Sequence, residues 1–203
     1  MSITLHHHDL PDGLDLGAAV AIDTETMGLN PHRDRLCLVQ LSAGDGTVHL
    51  VKIAKDMQPA PNLVALLNDP GVLKLFHYGR FDIAVLSNAL GAVARPVYCT
   101  KIASKMVRTF TDRHGLKMLC SELLGVDLSK QQQSSDWGAE TLSEAQMEYA
   151  ASDVLHLHAL REVLDGRLAR EGRMALAQAC FDFLPDRALL DLLGWEEKDV
   201  FHH

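Results

Sequence analysis

Two acidic residues directly follow an apolar run near the N-terminus, in the stretch AVAIDTETMGL at residues 19–29. The apolar run predicts a buried strand, in which residues two positions apart project from the same face. Asp23 and Glu25 would therefore direct two carboxylates to one place, while Thr24 points the other way. Like charges at the end of a buried strand repel each other and lose hydration, so we expect something to compensate them.

Two more acids stand where they could join this pair. Asp82, in FHYGRFDIAVL, lies within one turn of the start of a helix that follows a strand. Asp153 ends the motif YAASD, and helical spacing places Tyr149 on the same face. Each has a simpler interpretation: Asp82 as an acid favoured by the helix dipole, Asp153 as a half-exposed helix acid and Tyr149 as a core aromatic.

Together, the four acids could supply the oxygen ligands that hard divalent ions require. Two such ions can stabilise both the attacking and the leaving oxygen of a phosphate displacement. Bound metal is therefore our expected compensation for Asp23 and Glu25. Phosphatases with an aspartyl nucleophile carry a competing motif, Asp-x-Asp-x-Thr. This motif does not fit, because Glu25 stands at the position of its second Asp and Met27 at the position of its Thr.

The surrounding pattern predicts the elements that carry these acids. The order β-β-β-α-β-α-β followed by helices indicates an α/β domain with a mixed central sheet flanked by helices and a helical C-terminal half. After the strand that begins at Ala19, strands are predicted at 36–42, 47–53, 72–78 and 96–100, and helices at 62–68, 80–91 and 101–109. From Gly115 onward the pattern is helical except for a polar run at 127–140. We expect one domain over 1–203, with 175–203 as a C-terminal helical extension and no additional RNA-binding domain.

Composition narrows the classes of partner. The formal net charge is −8, so the chain lacks the broad basic surface with which proteins usually grip long nucleic acid. No apolar run approaches the ~20 residues of a membrane span, and no signal-peptide pattern is visible. We interpret the four scattered cysteines as reduced core thiols of a cytoplasmic protein, and His6–His8 as a solvated tail.

The motifs DTET, FD and YAASD, in that order, resemble those of the DEDDy class of 3′–5′ exonucleases. The run at 114–157 resembles ribonuclease D, and the similarity extends over about 19–165. The resemblance implies a ribonuclease H-like fold and two ions of Mg²⁺ or Mn²⁺. It implies that Asp23, Glu25 and Asp153 hold one ion, and that Asp23, with Asp82 directly or through water, holds the other. It also implies that Tyr149 orients the attacking water. One departure is Cys99 before Thr100, where many ribonuclease D sequences have an acid.

Short chains of this type resemble the nano-RNase C family. That resemblance implies hydrolysis of dinucleotides and other short single-stranded RNA to nucleoside 5′-monophosphates, and assembly into a homo-oligomer such as a ring. One alternative is ribonuclease D-like trimming of longer RNA 3′ ends. Another is a non-catalytic RNA-binding or assembly module, which should have lost one of the acids. The expected substrate-binding residues are Thr24, Met27, Gly28, Leu29, His77, Arg80 and Phe81.

Two apolar features have competing interpretations. Leu29 follows the acid pair, and by resemblance to oligoribonucleases its side chain would insert between the last two bases, although a core leucine is the simpler interpretation. The segment 181–195 (FDFLPDRALLDLLGW) carries more apolar surface than one terminal helix usually needs. We predict that it forms a subunit contact, with docking inside the same chain as the alternative.

Overall fold

The structure is a computed structural model that describes residues 1–56, 59–129 and 131–203. Its centre is a six-stranded sheet in the order β1-β4-β3-β2-β5-β6. The strands are β1 (Ser2–His7), β2 (Ala19–Thr26), β3 (Leu36–Ser42), β4 (Thr47–Lys52), β5 (Leu73–Phe76) and β6 (Val97–Cys99).

The sheet is mixed, as predicted. Strands β2, β3 and β4 form an antiparallel meander, while β5 runs parallel to β2 and β6 runs parallel to β5. The central strand β2 therefore has a hydrogen-bonded neighbour on each side, and β3 is buried along its whole length. This rigid centre carries the acid pair at the end of β2.

Helices cover both faces of the sheet. Helix α5 packs across β2, β3 and β4, and α2 packs against α7. A capping box starts α5. The Ser143 side chain accepts a hydrogen bond from the Gln146 backbone N–H, and the Gln146 side chain accepts one from the Ser143 backbone N–H. The helices are α1 (Pro61–Asn68), α2 (Gly79–Leu90), α3 (Thr100–Val107), α4 (Leu116–Leu119), α5 (Glu144–Leu155), α6 (Leu157–Arg170) and α7 (Met174–Leu190), with π-helical turns at Cys120–Leu124 and Asp191–Trp195.

Three predictions about local structure are wrong. The histidine-rich start is not a solvated tail, because Ser2–His7 forms the edge strand β1 parallel to β4, with His6 Nε2 2.9 Å from His49 Nδ1. Cys37, Cys99 and Cys120 are buried free thiols, but Cys180 is exposed on α7. The strand predicted to reach residue 78 ends at Phe76.

Tyr78 explains the early end of β5. Its φ of 66° is left-handed, and it is the residue from which α2 starts. The polar run at 127–140 contains no helix among its described residues, and position 130 lies outside them. In the described part of the chain, no helix is long and apolar enough to cross a bilayer.

Candidate active site

The acid pair on β2 meets a third acid from α5. Asp23 and Glu25 lie on one face of β2, and α5 packs across that region of the sheet. One carboxylate oxygen from each of Asp23, Glu25 and Asp153 can be chosen so that all three lie within 4.8 Å of one another. The structure therefore brings these three predicted site acids together, and their role as metal ligands stays a prediction.

The fourth acid, Asp82, is held beside this cluster by Thr24. Asp82 lies in the first turn of α2 and is only 3% exposed. The Thr24 hydroxyl donates to Asp82 Oδ1 at 2.7 Å. Thr24 was predicted as a substrate contact, but the structure gives its hydroxyl a buried protein partner.

Burial and mutual repulsion raise the pKa of all four carboxyl groups above its ordinary value. Burial, with Asp153 and Asp82 adding repulsion, raises the pKa of Glu25 to about 9. Burial raises the pKa of both Asp82 and Asp153 to about 7. The pKa of Asp23 is raised well above its ordinary value by burial and by the charges of the other three.

The described residues provide no Lys or Arg salt bridge to any of these acids. The compensating charge must then come from protons or from a bound cation. A cluster made only of carboxylate oxygens has the donor chemistry that Mg²⁺ and Mn²⁺ prefer. The residues present therefore fit a hard divalent ion.

Tyr149 lies one helical turn before Asp153 on α5 and faces the same cleft. Hydrogen bonding from its hydroxyl lowers the pKa of Asp153, partly opposing the effect of burial. The pKa of Tyr149 itself is raised by burial and by the neighbouring carboxylates, so the phenol keeps its proton at neutral pH. Its ring centroid is 6.0 Å from that of the buried Trp137.

Asp23, Glu25 and Asp153 line a cleft of about 690 Å³, whereas the buried Asp82 is not among its lining residues. Leu29 is 86% exposed at this cleft, so the interpretation as a core leucine is wrong. Arg80 instead lines a neighbouring cavity of about 350 Å³, where its guanidinium is paired with Asp191. The other predicted substrate-binding residues all line the cleft: Thr24, Met27, Gly28, His77 and Phe81.

Several cleft residues were not identified from the sequence. Lys101 and Lys117 bring positive charge, and Trp137 packs beside Tyr149. Gln40 lies next to the cluster, where its Nε2 donates to Asp23 Oδ2 at 3.3 Å. The signal for Gln40 was its amide inside a strongly apolar strand predicted to pair with the strand of Asp23.

Comparison with known proteins agrees with this geometry. A model of the 3′–5′ exonuclease family matches residues 8–169. The structure of Brucella melitensis NrnC with bound Mg²⁺ is 60% identical, with a TM-score of 0.96 and 100% of both chains covered. The structure of Brucella melitensis NrnC bound to pGG is 61% identical, with a TM-score of 0.97, and the match covers 100% of this chain and 99% of that one.

Longer relatives share only this part of their length. Ribonuclease D of Granulibacter bethesdensis is 40% identical over 156 residues, which are 77% of this chain and 39% of the relative. The chain thus spans about two fifths of the length of three curated ribonuclease D relatives that are 38–40% identical to it.

Proposed function

Because the chain belongs to the 3′–5′ exonuclease family, and within it to the ribonuclease D type that includes NrnC, we propose that it is a metal-dependent 3′–5′ exoribonuclease. We propose further that it hydrolyses dinucleotides and other very short RNA to nucleoside 5′-monophosphates. The observation that carries the proposal is the convergence of Asp23, Glu25 and Asp153 within 4.8 Å, with Asp82 beside them.

Two divalent ions, Mg²⁺ or Mn²⁺, are part of this proposal. Asp23, Glu25 and Asp153 would hold one ion, and Asp23 with Asp82 would hold the other. Such ions supply charge to the phosphate oxygens and lower the pKa of water. Support comes from the all-carboxylate donor set and from the relative named as having bound Mg²⁺.

The protein's own groups fix the geometry around the reacting phosphate. Thr24 restricts the rotation of Asp82 through its hydrogen bond, so one oxygen of that carboxylate keeps a constant direction. Tyr149 carries a protonated hydroxyl beside Asp153, where it would orient the attacking water. Orientation is the role assigned to it because the raised pKa makes the phenol a poor base.

A very short substrate agrees with the acidic charge of the chain and the few basic residues that line the cleft. The net charge of the chain is −8, and Lys101 and Lys117 are the basic residues among the described ones that line the cleft. Few phosphates can be neutralised there, which disfavours a long RNA. Further support comes from the structure of Brucella melitensis NrnC bound to pGG, which is 61% identical and matches the whole of this chain.

The second candidate is ribonuclease D-like trimming of longer RNA 3′ ends. The 40% identity to a curated ribonuclease D favours it, although only 39% of that relative is matched. A non-catalytic RNA-binding module is disfavoured because all four acids and Tyr149 are present and adjacent. The single-domain organisation, the C-terminal extension and a cytoplasmic location stay predictions.

Product analysis on 5′-labelled RNAs of two, seven and twenty nucleotides, with Mg²⁺, tests the proposal. We expect the dinucleotide to be converted to mononucleotides much faster than the longer RNAs are shortened. Equal or faster shortening of the twenty-nucleotide RNA would favour the second candidate. Lack of cleavage of all three, in a preparation that is folded and binds Mn²⁺, would favour the non-catalytic module.

A further inference from the structure

Gln40 is a fully buried amide in the middle of β3. It stands directly opposite Asp23 in the antiparallel pair of β2 and β3, so the two side chains share one face of the sheet. Its Nε2 donates to Asp23 Oδ2 at 3.3 Å. Its Oε1 is buried and has no hydrogen-bond partner among the described residues.

An amide in this position does not serve packing. A buried acceptor without a partner destabilises the folded state, and an apolar side chain of similar length would avoid that cost. Leu38 is such a side chain, fully buried on the same strand face opposite Glu25. The amide of Gln40 is therefore best explained by what it does to Asp23.

The neutrality of the donor is informative. A Lys or Arg in place of Gln40 would neutralise Asp23 and compete with a bound cation. An amide restricts the rotation of the carboxylate while leaving its negative charge in place. The other carboxylate lone pairs then stay directed toward the position shared with Glu25 and Asp153.

We propose that Gln40 is a positioning residue that holds the Asp23 carboxylate in the orientation needed to bind the divalent ion. This inference deepens the proposed function and rests on it. The role is analogous to that of Thr24 on Asp82, so Asp23 and Asp82 each accept a hydrogen bond from one neutral buried donor. Gln40 itself touches neither ion nor substrate in this scheme.

Direct Mn²⁺ binding, measured by electron paramagnetic resonance without substrate, tests the inference in Gln40→Met. Methionine keeps the length of the side chain and removes the donor. We expect Mn²⁺ affinity to fall about tenfold, the loss typical of one hydrogen bond to a charged group. The melting temperature in EDTA should not fall, because the unpartnered Oε1 is removed as well.

Ser42→Ala is the matched control. Ser42 is buried two residues further along the same face of β3, and its hydroxyl donates to the Thr47 carbonyl, away from the acids. This variant should melt lower and bind Mn²⁺ like the parent. Parent-like Mn²⁺ affinity in Gln40→Met would overturn the inference alone, whereas a parent protein that binds no Mn²⁺ would overturn it together with the proposed function.

Discussion

The role of the Tyr149 hydroxyl can be tested with a single conservative substitution. Phenylalanine keeps the ring beside Trp137 and removes only the hydroxyl that faces Asp153. Loss of one group that orients the nucleophile costs on the order of 2–4 kcal/mol, roughly a hundredfold or more in rate. We expect Tyr149→Phe to reduce single-turnover cleavage of a dinucleotide by that factor, with binding and melting temperature unchanged. Cleavage at the parent rate would show that Tyr149 serves only as a core aromatic residue.

The repulsion among the acids predicts a pH-dependent stability of the metal-free protein. In the unfolded chain Glu25 ionises near its ordinary pKa of 4.5, whereas burial raises its pKa in the folded protein to about 9. The folded state therefore retains protons that the unfolded state releases, and the free energy of unfolding falls as pH rises from about 4.5 to 9. Melting in EDTA should drop by several degrees between pH 5 and pH 9, since each 1 kcal/mol shifts the melting temperature by about 2–4 °C.

Asp153→Asn should reduce this slope and melt no lower than the parent at pH 9, because one charge of the cluster is removed. Asp23→Ala should behave alike, and both variants should lose turnover. Glu148→Gln, an exposed acid on the same helix, is the control and should follow the parent. Variants of the cluster that melt far lower at every pH would show that these acids serve structure instead.

The acids could be predicted at the residue level because their spacing on β2 and α5 is local, while their supporting partners could not. Thr24 and Asp82 are 58 positions apart, and only the packing of α2 against β2 brings them together. Gln40 required knowledge of the register of β2 and β3, which apolar patterning leaves open.

At the scale of elements, the turn after β2 connects the strand that carries Asp23 and Glu25 to Leu29, the residue expected to contact the bases. Leu29 projects there with little core contact, being 86% exposed. Leu29→Ala should therefore weaken dinucleotide binding roughly tenfold, corresponding to about 1–2 kcal/mol of apolar contact, and leave the melting temperature unchanged. Equilibrium binding of a dinucleotide to a catalytically inactive variant measures this. Leu176→Ala, also exposed but outside the cleft, should bind like the parent, and a large loss of stability in Leu29→Ala would refute the contact.

The mixed sheet and most helices were predicted correctly, and the ribonuclease H-like fold is confirmed by its structural relatives. Two features that the sequence did not reveal, strand β1 and the position of Trp137, depend on distant partners, whereas the early end of β5 follows from the left-handed backbone of Tyr78. Strand β1 exists because β4 offers it a parallel edge, not because of an apolar run. Trp137 reaches Tyr149 because its loop is tied down by Arg35, which donates to the Gly138 carbonyl, and by Lys52, which donates to the Ala139 carbonyl.

At the scale of the whole molecule, the C-terminal segment divides between the two interpretations that its sequence allowed. Phe181 and Leu184 are buried against the rest of the chain, so part of 181–195 docks internally. Beyond them, Leu193 is 70% exposed and Trp195 is 42% exposed. Phe201 is exposed as well, and its ring makes an edge contact with Phe183. We refer to Leu193, Trp195 and Phe201 as the C-terminal surface, since exposed apolar side chains of this size are typical of protein interfaces.

We therefore predict that the chain forms a homo-oligomer, such as a ring, through this C-terminal surface. Light scattering at micromolar concentration should give a mass of at least two chains, each of 22.3 kDa. Leu193→Glu should dissociate the assembly without lowering the melting temperature of the separated chain, because the side chain makes few contacts within its own chain. Leu176→Glu places the same charge on a leucine that is 64% exposed near the start of α7, and it should leave the assembly intact. A monomeric parent would leave internal docking as the role of the segment, and a Leu193→Glu assembly of parent mass would move the interface to another surface.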